Sequence, residues 1–317
     1  MPSPAILLAI TGWEPTSWDE RFRALAPKRD IRLWPDRIGD PAQIGYVCAW
    51  KPPRGLLAGY PNLKAIFSLG AGVDHLMTDA DLPDVPIVRI VDPDLTMRMT
   101  EYVVLHVLMH HRRVRLYAEQ QRQRLWRDHE QPAASEVAVG VMGLGVLGCD
   151  AANMLARLGF KVAGWSRTAK AVAGVTTFHG PVGLQRFLAR TEILVCLLPH
   201  TPATEGILDR TLLGKLKRDG ALGGAFLINA GRGKLQIDAD ILAALNDGTL
   251  AGASLDVFPN EPLSAESPLW AHPNLIVTPH NAAASVPRSL VVNVLEQIDR
   301  FERGLPLENA IDRRMGY

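Results

Sequence analysis

Short apolar runs alternate along the chain with segments whose apolar residues recur at helical spacing. This alternation is typical of parallel sheets whose strands are connected by crossover helices. The first series of predicted strands comprises 5–10, 31–34, 46–50, 65–69 and 87–91. A helix is predicted over about 97–117, then a loop to 136, and a second series of strands comprises 137–142, 162–165, 193–198, 225–228, 253–257 and 275–278.

The two series of strands indicate two α/β units, of which the second begins near residue 100. The chain length of 317 residues agrees with two domains at roughly 100–200 residues each. No apolar run after Thr278 is typical of a further strand of the second unit. The last predicted helix, 288–303, is therefore expected to return to the first unit, which makes that domain discontinuous.

The composition is that of an ordinary globular protein, with 47% hydrophobic and 21% charged residues. The net charge of +1 supplies no field that attracts nucleic acid or a membrane surface. No stretch reaches the ~18 unbroken apolar residues of a membrane helix. The N-terminal run 5–10 is typical of a buried strand rather than a signal peptide. We expect neither nucleic acid nor a membrane as a partner.

Cys48, Cys149 and Cys196 lie in apolar surroundings at spacings unlike those of metal ligands. They are expected to be unreactive core thiols in a reducing cytosol, so the predicted location is cytoplasmic and no metal site is predicted. The segment 110–127 is basic and holds two aromatic residues. We interpret it as a solvated helix face followed by a dimer arm, with nucleic-acid contact as the alternative. Trp126 is hypothesised to reach a neighbouring subunit.

A glycine motif, Gly143-x-Gly145-x-x-Gly148, follows an apolar strand and opens a segment with helical spacing of apolar residues. Such glycines form a tight turn, let a pyrophosphate approach the backbone, and pack the helix on the strand. The helix N-terminus adds N–H groups and a partial positive charge. The motif predicts a dinucleotide site that includes Leu144, Val146 and Leu147, and the alternative is a turn with a structural role only.

An NAD site usually shows an acid about twenty residues later, where it binds the ribose 2′-hydroxyl. Here the second strand of the unit ends in "GWSRT", with Ser166 at the position of the acid and Arg167 after it. A carboxylate would repel a 2′-phosphate, whereas an arginine pairs with it. The sequence therefore predicts NADP(H) as the preferred cofactor and NAD(H) as the second option. A solvated arginine without cofactor preference is the alternative.

Three residues follow strand-like runs in the second unit: Arg232 in "LINAGRG", Glu261 in "SLDVFPNEPL" and His280 in "NLIVTPH". Ligands bind beyond the carboxyl ends of strands in an open parallel sheet, so all three are expected at one edge. Reduction of a 2-keto acid needs a carboxylate clamp, which suits a guanidinium, and a proton donor, which suits an imidazole oriented by a carboxylate. Gly231 and Gly233 are expected to let substrate and cofactor approach the backbone beside Arg232.

The ordered set of motifs resembles the D-isomer-specific 2-hydroxyacid dehydrogenases. The resemblance rests on the glycine motif, "INAGRG", "LDVFPNEPL", "TPH" and "SLGAGVDHL", and it covers nearly the whole chain. The stretches "DPDLTMRMTEYV" and "AWKPP" resemble the glyoxylate/hydroxypyruvate reductase A branch of this family. Formate dehydrogenases of the same fold have glutamine at the position of Glu261, which argues against that activity.

The resemblance implies an α/β fold of two Rossmann-like or flavodoxin-like domains with parallel sheets and an active site in the cleft between them. It implies a discontinuous substrate-binding domain, 1–99 with 287–317, and a dinucleotide-binding domain, 100–286. Members of the family are usually homodimers built through the cofactor domain, and a homodimer is expected here.

The resemblance also implies roles for individual residues. Arg232 is expected to bind the substrate carboxylate and carbonyl oxygen, His280 to be the acid/base and Glu261 to be its partner. Backbone N–H groups of Ala71 and Gly72 are expected to hold the carboxylate. Further cofactor contacts are expected from Leu198, Pro199, Thr204, Ala230, Gly231 and Asp256, the last near the nicotinamide carboxamide.

Trp50, in "CAWKPP", is hypothesised to form an apolar wall for a small substrate, with core packing at a strand end as the alternative. The expected function is NADPH-dependent reduction of small 2-keto acids, glyoxylate to glycolate and hydroxypyruvate to D-glycerate, with His280 as acid/base. Another D-2-hydroxy acid as substrate is an alternative within the family. A nucleotide-sensing binding protein is the contrasting alternative, and turnover separates the two.

Overall fold

A computed structural model describes residues 3–314 of the chain. The chain divides into two compact units: the first runs to Leu95 and resumes at Ser285, and the second is Thr96–Ala284. Each unit is built on one parallel sheet, of five strands in the first and seven in the second. The α/β fold with two parallel-sheet domains is thereby confirmed.

The first unit has its strands in the order β2-β1-β3-β4-β5, which is the flavodoxin-like order. Nearly all strand residues are buried, since helices and loops cover both faces of the sheet. The elements are β1 (Ala5–Ile10), α1 (Thr16–Leu25), β2 (Ile31–Leu33), β3 (Ile44–Trp50), β4 (Ala65–Ser68), α2 (Asp74–Met77) and β5 (Ile87–Val88).

The second unit has the strand order β12-β11-β10-β9-β6-β7-β8, a Rossmann order with one further strand. The order reverses between β6 and β9, where ligands bind in such sheets. Its elements are α3 (Pro93–His111, which begins in the first unit), α4 (Val114–Arg122), β6 (Ala138–Met142), α5 (Val146–Arg157), β7 (Lys161–Ser166), β8 (Thr176–His179), α6 (Gly180–Leu188), β9 (Ile193–Cys196), α7 (Arg210–Leu213), β10 (Phe226–Asn229), α8 (Asp238–Asn246), β11 (Gly252–Leu255) and β12 (Leu275–Val277).

The last helix, α9 (Pro287–Glu302), belongs to the first unit. Its apolar face is buried in the same cluster as Trp18 and Phe22 of α1. Arg29 reinforces the packing through ion pairs to Asp299 at 2.6 Å and Glu302 at 2.7 Å. The C-terminal segment therefore closes one face of the first sheet.

Two features differ from the sequence prediction. The single helix expected over 97–117 is wrong, because the chain breaks at Arg113, whose φ of 54° is left-handed, and restarts as α4. Strand β8 was not predicted, because "TTFH" is short, polar and half-exposed at the edge of the sheet and carries no apolar run. Both features depend on local backbone geometry that hydrophobic spacing does not encode.

The basic segment 110–127 is only partly a solvated surface. His110 and His111 at its start are buried, at 6% and 5% exposure. Further on, α4 and the following loop expose large apolar side chains, among them Leu116, Leu125 and Trp126. Among the described residues, no helix is long and apolar enough to cross a membrane.

Candidate active site

The glycine motif forms a tight turn between β6 and α5. Gly143 has φ of +111°, and a Cβ on it would lie 2.8 Å from the carbonyl carbon of Leu197. A Cβ on Gly148 would lie 1.8 Å from the carbonyl oxygen of Gly143. The first glycine is therefore needed for the turn beside the end of β9, and the last for the packing of the helix on that turn.

Gly145 is placed differently from the other two glycines. It is exposed, it directly precedes α5, and nothing lies within 4 Å of the position of a Cβ. No part of the described protein explains why a side chain is absent here, whereas a ligand against the backbone would. Since α5 presents unpaired N–H groups at the same place, the turn fits a dinucleotide pyrophosphate.

The end of β7 carries a hydroxyl and cations instead of an acid. Ser166 is 8% exposed, and its Oγ donates to the carbonyl oxygen of Thr168 at 2.8 Å, which shapes the turn. Arg167 and Lys170 on this turn are exposed. The set is suited to an additional phosphate and offers no carboxylate to a ribose 2′-hydroxyl.

The loop after β9 is held by Thr204. Its Oγ1 donates to the carbonyl oxygen of Pro199 at 2.7 Å and accepts from the amide of Thr201 at 2.9 Å. A Cβ on Gly231 would lie 2.9 Å from the carbonyl oxygen of Leu198. The expected cofactor-binding loop and the Arg232 loop are thus in direct backbone contact.

The Arg232 loop is organised by a fully buried amide at the end of β10. The Oδ1 atom of Asn229 accepts from the amide of Gly231 at 3.1 Å, and its Nδ2 atom donates to Oε1 of Gln236 at 2.7 Å. The Nη1 atom of Arg232 donates to the carbonyl oxygen of Gly231 at 2.8 Å. The guanidinium is therefore held close to its own loop at the carboxyl end of the strand.

The glycine that follows Arg232, Gly233, has a different reason from the one expected. A Cβ on Gly233 would lie 1.9 Å from the carbonyl carbon of Phe258. The approach that excludes a side chain at 233 is made by the protein's own backbone, because the loop after β11 passes directly over it. This contact packs the Arg232 loop on the loop that carries Glu261.

His280 and Glu261 form a hydrogen-bonded pair. The Nδ1 atom of His280 lies 2.7 Å from Oε2 of Glu261, and Oε1 of Glu261 accepts from the amide of Phe258 at 3.1 Å. His280 has a left-handed backbone, with φ of 53°. Because the carboxylate accepts from Nδ1, the Nε2 atom of the ring is left to exchange a proton with another group.

Asp256 is buried behind His280, at 1% exposure. Its carboxylate accepts from Oγ1 of Thr278 at 2.6 Å and from the amides of Asn281 and Ala282, each at 3.0 Å. Burial raises the pKa of the Asp256 carboxyl above its usual range, and the hydrogen bond from Thr278 opposes that rise. The three bonds tie the chain after β12 to the end of β11.

In the first unit, Trp50 is the last residue of β3, and its ring packs against the loop expected to hold the substrate carboxylate. The Cζ3 atom of Trp50 is 2.3 Å from the position of a Cβ on Gly70, immediately before Ala71 and Gly72. The ring also stacks on Trp13, with 4.1 Å between centroids, and Trp50 remains half-buried. Core packing and an apolar wall are therefore compatible roles for the same ring.

The sequence analysis missed polar residues that support these loops. Asn229 is the last residue of an apolar run, and an amide at that position was a signal for a buried hydrogen-bonding role. Tyr102 and Thr278 share a hydrogen bond at 2.9 Å across 176 residues, for which the sequence holds no signal. Among residues 3–314 no group of three or more His, Cys, Asp or Glu is arranged to hold a metal ion.

Comparison with known proteins yields a family match for the second unit. The family model described as "D-isomer specific 2-hydroxyacid dehydrogenase, NAD binding domain" matches residues 104–282. A curated relative, glyoxylate/hydroxypyruvate reductase A of Yersinia enterocolitica serotype O:8 / biotype 1B, is 39% identical over 311 residues, which cover 96% of this chain and 97% of the relative.

Solved structures of similar chains carry a bound cofactor. One is the NADPH-dependent glyoxylate/hydroxypyruvate reductase of Sinorhizobium meliloti in complex with NADP and sulfate, which is 47% identical with a TM-score of 0.94. The match covers 99% of this chain and 100% of that chain. A D-isomer specific 2-hydroxyacid dehydrogenase of Xanthobacter autotrophicus Py2, in complex with NADPH and MES, is 43% identical at the same TM-score of 0.94, with 99% of this chain covering 100% of that one.

Proposed function

Since the chain belongs to the D-isomer-specific 2-hydroxyacid dehydrogenase family, we propose that it reduces small 2-keto acids with NADPH. The proposed reactions are glyoxylate to glycolate and hydroxypyruvate to D-glycerate, as the names of its relatives suggest. The observation that carries the proposal is the His280–Glu261 pair at 2.7 Å, in which Glu261 lies on a loop packed against the Arg232 loop. The same unit holds the open glycine turn, so one unit combines a cofactor site with a proton donor.

Bound NADPH supplies a hydride to the carbonyl carbon of the substrate. We propose that the pyrophosphate lies on Gly145 and the start of α5, and that Ser166 and Arg167 bind the 2′-phosphate, with NAD(H) as a weaker cofactor. The remaining cofactor contacts are proposed for Gly143, Leu144, Val146, Leu147, Gly148, Leu198, Pro199, Thr204, Ala230, Gly231 and Asp256. The absence of an acid at the end of β7 supports this preference.

Arg232, Glu261 and His280 are proposed as the catalytic residues. The guanidinium of Arg232 binds the carboxylate and polarises the carbonyl, since its planar fork matches both oxygens. As the carbonyl carbon accepts the hydride, the Nε2 atom of His280 donates its proton to the carbonyl oxygen, which becomes the hydroxyl. Glu261 accepts from Nδ1 and orients the ring, so that the resulting neutral imidazole can be reprotonated from solvent.

We propose that the first unit serves the substrate and the second the cofactor. Backbone N–H groups of Ala71 and Gly72 are the proposed donors to the carboxylate, and Trp50 the proposed apolar wall beside them. The contact between the Trp50 ring and Gly70 supports this assignment, because Gly70 directly precedes the two proposed donors.

We also propose a homodimer in the cytoplasm. The apolar side chains exposed on α4 and the following loop, including Trp126 at 102% exposure, support a partner surface in the second unit. The three cysteines are free, as suits a reducing compartment. Light scattering of the wild type and Trp126→Ala tests the dimer, and a monomeric wild type would contradict it.

The proposed function is tested by the rates of NADPH and NADH oxidation with glyoxylate, hydroxypyruvate and pyruvate at neutral pH. We expect the fastest oxidation with NADPH and either of the first two acids. His280→Ala is expected to lower kcat by ~10²–10⁴-fold while it still binds NADPH. His179→Ala, at an exposed position on β8, is the matched control and is expected to keep full activity.

Three outcomes would each contradict a part of the proposal. Turnover of neither cofactor with any keto acid, despite NADPH binding, would favour the sensing protein. Near-normal turnover by His280→Ala would remove His280 from the acid/base role even if the reaction is correct. Faster turnover of a larger keto acid would instead indicate a dehydrogenase for another D-2-hydroxy acid.

A further inference from the structure

A chain of hydroxyl groups connects helix α3 to the turn that carries His280. The hydroxyl of Tyr102 lies 2.9 Å from Oγ1 of Thr278, and that atom lies 2.6 Å from Oδ1 of Asp256. Tyr102 is 8% exposed and Asp256 is 1% exposed, so water does not compete freely for these bonds. All three residues belong to the second unit.

The donor and acceptor in each of these hydrogen bonds follow from the carboxylate at the end of the series. An ionised carboxylate only accepts, so the hydroxyl of Thr278 donates to Asp256. The oxygen of Thr278 is then available as an acceptor, and Tyr102 is the donor to it. The two bonds strengthen each other, because the bond that Thr278 accepts from Tyr102 polarises the hydroxyl that Thr278 donates to Asp256.

The carboxylate at the end of this chain fixes the residues on both sides of His280. It accepts from the amides of Asn281 and Ala282, while the backbone oxygen of Asp256 accepts from the amide of His280 at 2.8 Å. His280 is held with a φ of 53°, which a residue with a Cβ adopts only when its surroundings impose it. The hydrogen bonds around Asp256 are the surroundings that do so.

The ring of Tyr102 is itself fixed in place. It packs on the ring of His106, one helical turn later, with 4.1 Å between centroids. His106 is 3% exposed, and burial lowers its pKa to about 4, so this packing partner is neutral at pH 7. The ring of Tyr102, the first donor, thus packs on a buried and neutral ring of the same helix.

We propose that Tyr102 and Thr278 are positioning residues for the reduction, which act through Asp256 to hold the left-handed His280 turn and keep the imidazole against Glu261. This inference rests on the proposed role of His280 as proton donor. Neither hydroxyl needs to touch substrate, because each acts on the backbone that presents the imidazole. A turn that is held in advance avoids reorganisation when the proton is transferred.

The test removes the hydroxyls without changing the volume of either side chain. Tyr102→Phe and Thr278→Val are each expected to lower kcat about three- to tenfold, with the KM for the keto acid and the Kd for NADPH changed less than about twofold. Thr278→Ser keeps the hydroxyl and is expected to retain most of the activity. The double variant is expected to be no slower than Thr278→Val, because both changes break one chain.

A second readout does not depend on turnover. The amides of Asn281 and Ala282 are expected to exchange with deuterium faster in Tyr102→Phe than in the wild type, since their acceptor is less firmly held. Tyr60→Phe, which alters a buried tyrosine of the first unit, is the matched control and is expected to change neither exchange at these amides nor kcat.

The results that would overturn the inference differ from the one that would refute the role of His280. If Tyr102→Phe lowers the melting temperature but leaves kcat and amide exchange unchanged, Tyr102 is only a structural residue and the inference is overturned. Additive losses in the double variant would also overturn it, because the two hydroxyls would then act separately. Full turnover by His280→Ala in the same assay would instead refute the proposed role of His280 as proton donor, whatever the other variants show.

Discussion

Alanine substitutions at Gly145 and Gly148 are expected to produce different defects, although the two glycines lie in one motif. Gly145→Ala is expected to weaken NADPH binding, and Gly148→Ala to lower stability. The Cβ of Gly148→Ala would lie 1.8 Å from the carbonyl oxygen of Gly143, where an ordinary contact needs ~3.5 Å. The obstacle is backbone and cannot rotate away, so α5 must shift from the turn. The Cβ of Gly145→Ala would meet nothing within 4 Å in the protein.

The expected magnitudes follow from this geometry. Overpacking of the kind in Gly148→Ala costs up to ~3 kcal/mol, which corresponds to a fall of roughly 6–12 °C in melting temperature for a unit of this size. The backbone of Gly145 is extended, with φ of −79° and ψ of −166°, which alanine adopts without strain. Gly145→Ala is therefore expected to keep or slightly raise stability. It is expected to weaken NADPH binding at least about tenfold, or ~1.4 kcal/mol.

The assay combines thermal unfolding of the free protein with titration of NADPH fluorescence. Gly59→Ala is the matched control, because a Cβ there also meets nothing within 4 Å and lies in the first unit. Wild-type affinity for NADPH in Gly145→Ala would refute a pyrophosphate on this turn. An unchanged melting temperature of Gly148→Ala would refute the packing argument.

Three further predictions address other parts of the second unit. Arg167→Asp is expected to weaken NADPH much more than NADH in fluorescence titrations, whereas Arg157→Asp should affect neither, and equal losses would exclude a 2′-phosphate role. Unfolded histidine binds a proton near pH ~6.5, whereas burial lowers the pKa of folded His106 to about 4. The contribution of His106 to stability is therefore expected to fall as the pH drops through this window, by roughly 2 kcal/mol at pH 5, in addition to the fall due to buried His110. Urea unfolding at pH 7 and 5 should show a smaller fall in His106→Phe, and an equal fall would contradict the assignment. Gly233→Ala is expected to displace the loop at Phe258 and lower kcat at least about tenfold with NADPH affinity retained, measured by steady-state kinetics and titration.

The glycine turn is an example of a feature that could be predicted from the sequence. The spacing Gly143-x-Gly145-x-x-Gly148 after an apolar run identifies the turn, because the strand, the glycines and the start of the helix all lie within one short segment. Strands of the parallel sheets were found for the same reason, since burial on both faces leaves continuous apolar runs. The absence of an acid at position 166 is likewise read directly from a few neighbouring residues.

The reason for Gly233 was not available from the sequence. The sequence shows a glycine on each side of Arg232 and suggests space for ligands. The structure shows that the backbone of Phe258 fills the space at 233, so the glycine joins two loops of the protein to each other. Which atoms approach a glycine depends on the path of a distant segment, and a sequence pattern contains no such path.

The sequence by itself determined the two α/β units, the glycine turn and the identity of the residues proposed to bind, orient and protonate the substrate, because periodicity and residue chemistry are local properties. Only the tertiary structure decided how those residues are held. The Tyr102–Thr278 bond spans 176 residues, and the left-handed His280 is imposed by hydrogen bonds to Asp256. Such contacts arise when separate strands end at the same edge of a sheet, and their geometry exists only once the chain has folded.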